Sequence, residues 1–229
     1  MKKAQNAALE LAKPLQGVAV RDVNVVPRVK GDVPTRDAGL PKALTAEEAH
    51  ALIAAGATIR DRLLIEAMYR TGARASEIAG LRRCEIKADA FLLRNLKQRQ
   101  DGHGWKTVYV DDPSICSRLL LWCQEQGIVD TGYVFPSRKG AGALGRDQIR
   151  HIVQAASVRA GIYLERHGER RPAWAHVLRH SAAVRWLEAS HGDFEFAAEQ
   201  MGHSSTRSMD PYRAISDERR RSLARQGQF

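Results

Sequence analysis

The sequence predicts a mainly α-helical fold with one small antiparallel β-sheet, an α+β arrangement. In the part of the chain after Thr45, apolar residues recur mostly at helical spacing, and strand-like stretches are confined to residues 90–96 and 106–110. With 229 residues, 44% of them hydrophobic, the chain suffices for one large or two small domains with a proper core.

Residues 1–43 differ in composition from the rest of the chain. They hold four of the eight prolines, at positions 14, 27, 34 and 41, together with many basic side chains. A short helix near residues 4–13 and partial strand character over 18–29 do not amount to a domain. We therefore expect an extended N-terminal arm.

The helices of the body carry recognisable start and stop signals. Thr45-Ala-Glu-Glu48 is a capping box that begins a helix reaching residue 55. A second helix covers residues 59–70 and ends at Thr71-Gly72, and Ser76 is predicted to cap a third through Leu81. A hairpin then joins the two strands through a loop rich in Gly and Asp. Further helices are predicted at residues 113–126, 146–160, 174–189, 193–201 and 206–213.

The charge balance indicates a polyanionic partner. The chain has 36 Lys and Arg against 26 Asp and Glu, a formal net charge of +10. A basic surface of this size usually means nucleic acid. Cys84, Cys116 and Cys123 form no CxxC pair, which indicates reduced thiols, and no apolar run approaches the roughly 18 residues that span a bilayer. We expect a soluble cytoplasmic protein without membrane contact.

Several residues have side chains suited to phosphodiester chemistry. Arg74 lies at a helix junction, and Glu77, three residues later, is placed to hold its guanidinium. His176 and Arg179 are spaced i, i+3, so one helix face presents both. Arginine binds phosphate oxygens with a planar fork, histidine moves protons near neutral pH, and a tyrosine such as Tyr212 can act as a nucleophile. Each of these residues taken alone also suits an ordinary structural role.

In order, Arg74, Lys97, His176-x-x-Arg179, Gly202-His203 and Tyr212 resemble the tyrosine recombinase (phage integrase) family. The sequence around these residues is also similar to that family, over residues 71–81, 176–180 and 201–205. The resemblance covers roughly residues 44–215 and implies the fold of the family's catalytic domain. The short body is also similar to the small recombinases that invert fimbrial promoter switches.

The resemblance implies a mechanism that needs neither metal nor cofactor. Arg74 and Arg179 would clamp the scissile phosphate, and Tyr212 would attack phosphorus to leave a 3′-phosphotyrosine and a free 5′-hydroxyl. His176 would assist removal of the tyrosine proton, and His203 would hydrogen-bond the phosphate. The implied state is a tetramer on two DNA duplexes, with a monomer in the absence of DNA, at the nucleoid. The tail, residues 216–229, would contact a neighbouring subunit.

Two lysines compete for the role of general acid towards the leaving 5′-oxygen. Lys97 ends the first hairpin strand, where the family places a mobile lysine, and we favour it. Lys106 begins the return strand and is otherwise expected to contact phosphate. His180 is expected to pack or to hydrogen-bond within its helix. The further predicted DNA contacts are Arg82, Arg83, Arg94, Arg99, Arg138, Lys139, Arg146 and Arg150.

Three other interpretations stay open on the sequence. The same residues suit a type IB topoisomerase or a hairpin-forming resolvase, and a DNA-binding regulator could keep the fold without catalysis.

Typical family members carry a DNA-clamping domain of roughly a hundred residues before the catalytic one, a usual domain size. Only about 43 residues precede Thr45, so the chain is either a natural short form or a fragment.

Overall fold

The computed structural model of the chain describes residues 43–95, 104–137, 142–166, 169–202 and 206–212. The chain divides into two units, Met1–Ala38 and Gly39–Phe229, and every described residue lies in the second. The predicted arm up to residue 42 and the predicted tail from residue 216 therefore lie outside the described residues.

Helix α1, Ala46–Ala54, begins at the predicted capping box. The Thr45 hydroxyl accepts a hydrogen bond from the Glu48 backbone N–H at 3.2 Å, and the Glu48 carboxylate accepts one from the Thr45 N–H at 2.8 Å. These two bonds satisfy N–H groups that have no partner inside the helix. The capping box predicted from the sequence is confirmed.

Helix α2, Ile59–Thr71, ends as predicted at Gly72, which has a left-handed φ of 56°. Helix α3, Ala75–Ala79, follows after only three residues. The prediction that Ser76 caps α3 is wrong, because the capping residue is Arg74 and Ser76 lies inside the helix. The Arg74 N–H donates to the carboxylate of Glu77, so the tight junction is closed by the side chain three residues later.

The described residues form two small antiparallel sheets where the sequence predicted one. Strands β1, Ala90–Arg94, and β2, Trp105–Tyr109, form the predicted hairpin. A second pair, β3, Tyr163–Arg166, and β4, Glu169–Pro172, was not anticipated. Strand β4 has a largely exposed, highly charged sequence, so no alternation of apolar and polar residues marks it.

The other helices form close to their predicted positions. After a 3-10 turn at Arg83–Glu85, the chain continues with α4, Ser114–Glu125; α5, Arg146–Arg159; α6, Ala175–Ala189; α7, Phe194–Met201; and a 3-10 helix at Thr206–Tyr212. Helix α6 packs against α2, α5 and α7, and α2 also packs against α1 and α4. The hydrophobic core lies among these helices. None of the helices in the described ranges is long and apolar enough to cross a lipid bilayer.

Candidate active site

Glu77 is the anionic centre of a buried cluster of cations. Its carboxylate accepts hydrogen bonds from Arg74 Nη1 at 2.6 Å and from the Arg74 backbone N–H at 2.9 Å, and it lies 3.2 Å from Lys106 Nζ. Burial alone would raise the pKa of the Glu77 carboxyl, but Lys106 and Arg74 hold that pKa below its usual value. The carboxylate therefore stays ionised and positions both cations, as the sequence predicted for Arg74.

Arg179 is buried by the ends of two helices. Its guanidinium donates to the backbone oxygen of Gly72, after α2, at 2.7 Å, and to that of Met201, the last residue of α7, at 2.8 Å. Carbonyl groups at helix C-termini carry partial negative charge, which favours a cation there. Burial, followed by the charge of Arg74, lowers the Arg179 pKa to about 10, so the side chain still carries its charge at neutral pH.

Lys106 joins the hairpin to the same cluster. It points inward from β2 and is only 9% exposed, and its ammonium donates to the Met201 carbonyl at 3.0 Å. Burial lowers the pKa of Lys106 to about 8, although Glu77 opposes this effect. A buried lysine is uncommon and costs free energy unless it is paired. The pairing with Glu77 and Met201 indicates a fixed charge inside the site.

Gly202 allows this close approach. It ends α7 with a left-handed φ of 65°, and a Cβ at this position would lie 2.6 Å from Lys106 Cδ. Its carbonyl also accepts a hydrogen bond from Asn95 Nδ2, just after β1, at 3.2 Å. Both sides of the hairpin are thus bound to the end of α7. Sequence reasoning missed Asn95, because nothing marks it before the hairpin and α7 are placed together.

Tyr212, the predicted nucleophile, is buried at the end of the last 3-10 helix. Its side chain is 2% exposed, and its hydroxyl makes a short hydrogen bond with Nδ1 of His180. The ring of His176 meets that of His180 edge-on, with the centroids 4.7 Å apart. His180 was expected to pack or to hydrogen-bond within its helix: it packs on His176 of that helix, but its hydrogen-bond partner Tyr212 lies 32 residues later. Only the tertiary fold brings these two residues together.

The described cluster has an excess of positive charge. Arg74, Lys106 and Arg179 carry three positive charges against one negative charge on Glu77, a net of +2. The Arg74 side chain is 21% exposed and gives the cluster a route to solvent. Such an arrangement can bind an oxyanion and favours a transition state that gains negative charge.

Several predicted site residues lie outside the described ranges. These are Lys97, Arg99, Arg138, Lys139 and His203. Besides Lys106, five predicted DNA contacts are described, of which Arg83 donates to the Ile128 carbonyl and Arg94 and Arg150 are exposed. Arg146 is exposed at the first residue of α5, whereas Arg82 donates to the Thr131 carbonyl and lies over the Tyr133 ring, 4.8 Å from its centroid.

Comparison with protein families gives a match over most of the chain. The model of the phage integrase family matches residues 42–219. The tyrosine recombinase XerC of Xanthomonas axonopodis pv. citri (strain 306) is 33% identical over 169 residues, which cover 72% of this chain and 51% of that protein. XerC of Ralstonia pickettii (strain 12J) is 29% identical over 220 residues, covering 86% of this chain and 64% of that protein. The chain spans about half the length of most of the curated relatives compared.

Solved structures of recombinases share the fold. The crystal structure of XerA recombinase aligns with a TM-score of 0.65 at 21% identity, covering 83% of this chain and 66% of that one. XerH bound to its difH substrate in a pre-cleavage complex aligns at 0.61 and 23% identity, covering 76% and 50%. A lambda integrase tetramer on a Holliday junction aligns at 0.53 and 20% identity, covering 75% and 49%. The fold is therefore that of a tyrosine recombinase catalytic domain, as predicted.

Proposed function

Because this chain belongs to the phage integrase family, we propose that it is a site-specific recombinase that cuts and rejoins DNA through a covalent link to Tyr212. The observation that carries the proposal is the convergence of Arg74, Lys106 and Arg179 on one buried carboxylate. Burial raises the pKa of the Tyr212 phenol to about 12, and the charge of Arg179 offsets part of that rise, which links the cluster to the predicted nucleophile. A regulator that only binds DNA has no need for this arrangement.

In the proposed reaction, Arg74 and Arg179 bind the non-bridging oxygens of the scissile phosphate. The phenolic oxygen of Tyr212 forms a bond to phosphorus as the bond from phosphorus to the 5′-oxygen breaks. His176 assists removal of the phenol proton, and His203 hydrogen-bonds the phosphate. The net +2 charge of the cluster favours the more negative pentacoordinate transition state over the monoanionic diester.

The leaving 5′-oxygen takes up a proton from Lys97, the general acid we favour. Lys106 stabilises the cluster through its contacts with Glu77 and the Met201 carbonyl. Rejoining is the reverse attack by a 5′-hydroxyl from a second duplex. Atoms and charge then balance, and the energy of the broken phosphodiester is kept in the phosphotyrosine. No nucleotide cofactor or metal ion takes part.

The proposed partner is double-stranded DNA, on which the protein acts at the nucleoid in the cytoplasm. The proposed assembly is a tetramer, with two subunits on each of two duplexes. The +10 net charge and the tetrameric assembly of lambda integrase on a Holliday junction support this proposal. The tail, residues 216–229, is proposed to contact a neighbouring subunit.

The test is covalent capture on DNA. The protein is incubated with a pool of nicked duplexes randomised around the nick, denatured, and assayed for attached DNA, with Tyr109→Phe as the matched control. We expect an adduct with the wild type and Tyr109→Phe, and none with Tyr212→Phe. An adduct that persists in Tyr212→Phe excludes the assigned nucleophile. Relaxation of supercoiled plasmid without exchange between sites would instead favour the topoisomerase reading.

The two lysines can be distinguished with a leaving group that needs no proton. A 5′-bridging sulfur in the scissile phosphate leaves as a thiolate, so it restores cleavage to a variant that lacks the general acid. We expect Lys97→Ala to be rescued by this substrate and Lys106→Ala to stay slow on both substrates. The opposite pattern would assign the general acid to Lys106.

A further inference from the structure

Tyr212 meets a histidine that the proposed mechanism does not use. The hydroxyl hydrogen-bonds to Nδ1 of His180, the two ring centroids lie 5.8 Å apart, and the rings are inclined by 46°. Both side chains lie in the interior, Tyr212 at 2% exposure and His180 half-buried. The contact therefore fixes where the phenol oxygen lies before any DNA is bound.

His180 lies between the other groups of the site. On α6 it directly follows Arg179 and is one turn beyond His176, whose ring it meets edge-on. Residues four apart on a helix share a face, so the two imidazoles form a short row that ends at the hydroxyl of Tyr212. The predicted proton acceptor and the nucleophile are thus joined through His180.

The protonation states of Tyr212 and His180 limit how this hydrogen bond can form. Burial raises the pKa of the Tyr212 phenol to about 12, and Arg179 offsets part of that rise. Burial, together with His176 and Arg179, lowers the pKa of His180 to about 4. Both shifts keep the proton on the phenol and leave the imidazole neutral at neutral pH. A neutral imidazole can bond a phenol either by accepting at an unprotonated Nδ1, with the proton on Nε2, or by donating from a protonated Nδ1.

We propose that His180 is the positioning residue of the nucleophile: its neutral imidazole accepts the hydrogen bond of the Tyr212 hydroxyl and holds the phenol oxygen in place. This inference rests on the proposed function and adds to it a residue that acts through Tyr212. Removal of the phenol proton stays with His176, and His180 sets the orientation of the hydroxyl. Its role is to restrict the phenol to one orientation next to the phosphate site, which reduces the ordering needed for attack.

The contact itself is tested on the wild-type chain without DNA. Long-range proton-nitrogen NMR correlations distinguish the two neutral tautomers of a histidine. We expect an unprotonated Nδ1 and a protonated Nε2 on His180 at neutral pH, with the Nδ1 resonance shifted in Tyr212→Phe. A protonated Nδ1, or no change in Tyr212→Phe, would overturn the proposal. This measurement decides the contact even if no DNA forms an adduct, in which case the proposed function fails separately.

The role in catalysis is tested with two variants of similar size. His180→Asn keeps a polar acceptor near the position of Nδ1, whereas His180→Leu removes it. The substrate is the set of nicked duplexes that form an adduct with the wild type. The rate of adduct formation is measured under single-turnover conditions, and the thermal stability and DNA affinity of each variant are measured as well. We expect His180→Leu to be slower by roughly tenfold, the effect of one hydrogen bond, with DNA affinity unchanged and most of the rate kept in His180→Asn. Equal rates for wild type and His180→Leu, a faster His180→Leu, or an equally slow His180→Asn would each overturn the proposal.

Discussion

At the scale of single residues, Glu77 is the group that holds the cations of the site in place. This buried carboxylate contacts Arg74 and Lys106 directly and lies 4.0 Å from Arg179. If the charge of Glu77 is removed, the three positive charges around it repel one another in a buried site with little water to screen them. The residue is therefore as important for folding as for the geometry of the site.

We predict that Glu77→Gln lowers the free energy of unfolding by about 3 kcal/mol, the cost of breaking a buried ion pair. Adduct formation should fall at least as strongly, because Arg74 loses its fixed orientation. Glu48→Gln is the matched control, since Glu48 occupies the same position of a capping box on the surface and should cost less than about 1 kcal/mol. Urea denaturation measures the free energy of unfolding of both variants. An equal decrease for Glu77→Gln and Glu48→Gln would show that the Glu77 charge has no special role in stability.

The buried Lys106 should make both the stability and the rate of adduct formation depend on pH. Burial lowers its pKa from 10.5 to about 8, so the folded chain releases this proton before the unfolded chain does as pH rises. Its contribution to stability therefore becomes more favourable between pH 8 and 10.5, while the site loses a positive charge. The rate of adduct formation at subsaturating DNA should fall as pH rises through about 8. Lys106→Gln should be slow and should lack this fall; if the fall persists in the variant, another group causes it.

At the scale of elements, the site is built where helices end. Helix α2 stops at Gly72 and α7 at Met201, and their carbonyl oxygens receive Arg179. The β1–β2 hairpin reaches the same place through Lys106, which donates to the Met201 carbonyl. Gly202 must be small and left-handed for this junction to close.

We predict that Gly202→Ala is more damaging than Gly127→Ala. Both glycines have nearly the same left-handed φ, 65° and 64°, so both substitutions carry the backbone cost of about 1 kcal/mol. A Cβ at Gly127 meets nothing within 4 Å, whereas one at Gly202 would lie 2.6 Å from Lys106 Cδ. Urea denaturation should show a larger loss for Gly202→Ala, and only this variant should slow adduct formation. Equal losses would mean that the close approach of Lys106 does not matter.

The sequence predicted elements well where local chemistry decides them. The capping box at Thr45 and the left-handed Gly72 mark helix ends by interactions within a few residues, and both predictions are confirmed. The β3–β4 hairpin was missed because its pairing depends on chain reversal rather than on alternation of apolar side chains. Ser76 is a good capping residue, but the carboxylate of Glu77 placed the cap at Arg74 instead.

The sequence singled out Arg74, Glu77 and Arg179, which the structure brings together, but it did not predict most of the contacts around them. The spacing of His176 and Arg179 implies one helix face, which α6 provides. The burial of Lys106 was not predictable, because lysine is rarely buried and its partners come from α3 and α7. The contact between His180 and Tyr212 likewise requires α6 and the last 3-10 helix to be placed together.

At the scale of the whole molecule, the +10 net charge should govern DNA affinity. Binding releases counterions from DNA, so the logarithm of affinity falls linearly with the logarithm of salt concentration. We predict that Arg146→Gln, which alters an exposed residue at the start of α5, reduces that slope by about 1. Arg159→Gln is the matched control at the other end of α5, where the guanidinium donates to the Ala55 carbonyl at 2.7 Å. Equal slopes for the wild type and Arg146→Gln would remove Arg146 from the interface.

The central claim, that Tyr212 becomes joined to DNA, is tested most directly by locating the bond. The adduct captured on nicked duplexes is digested with trypsin and nuclease, and the modified peptide is sequenced by mass spectrometry. We predict a nucleotide 3′-phosphate on the tyrosine of the peptide Ser208-Met-Asp-Pro-Tyr212-Arg213. A nucleotide on Tyr69, Tyr109, Tyr133 or Tyr163, or attachment through a 5′-phosphate, would contradict it.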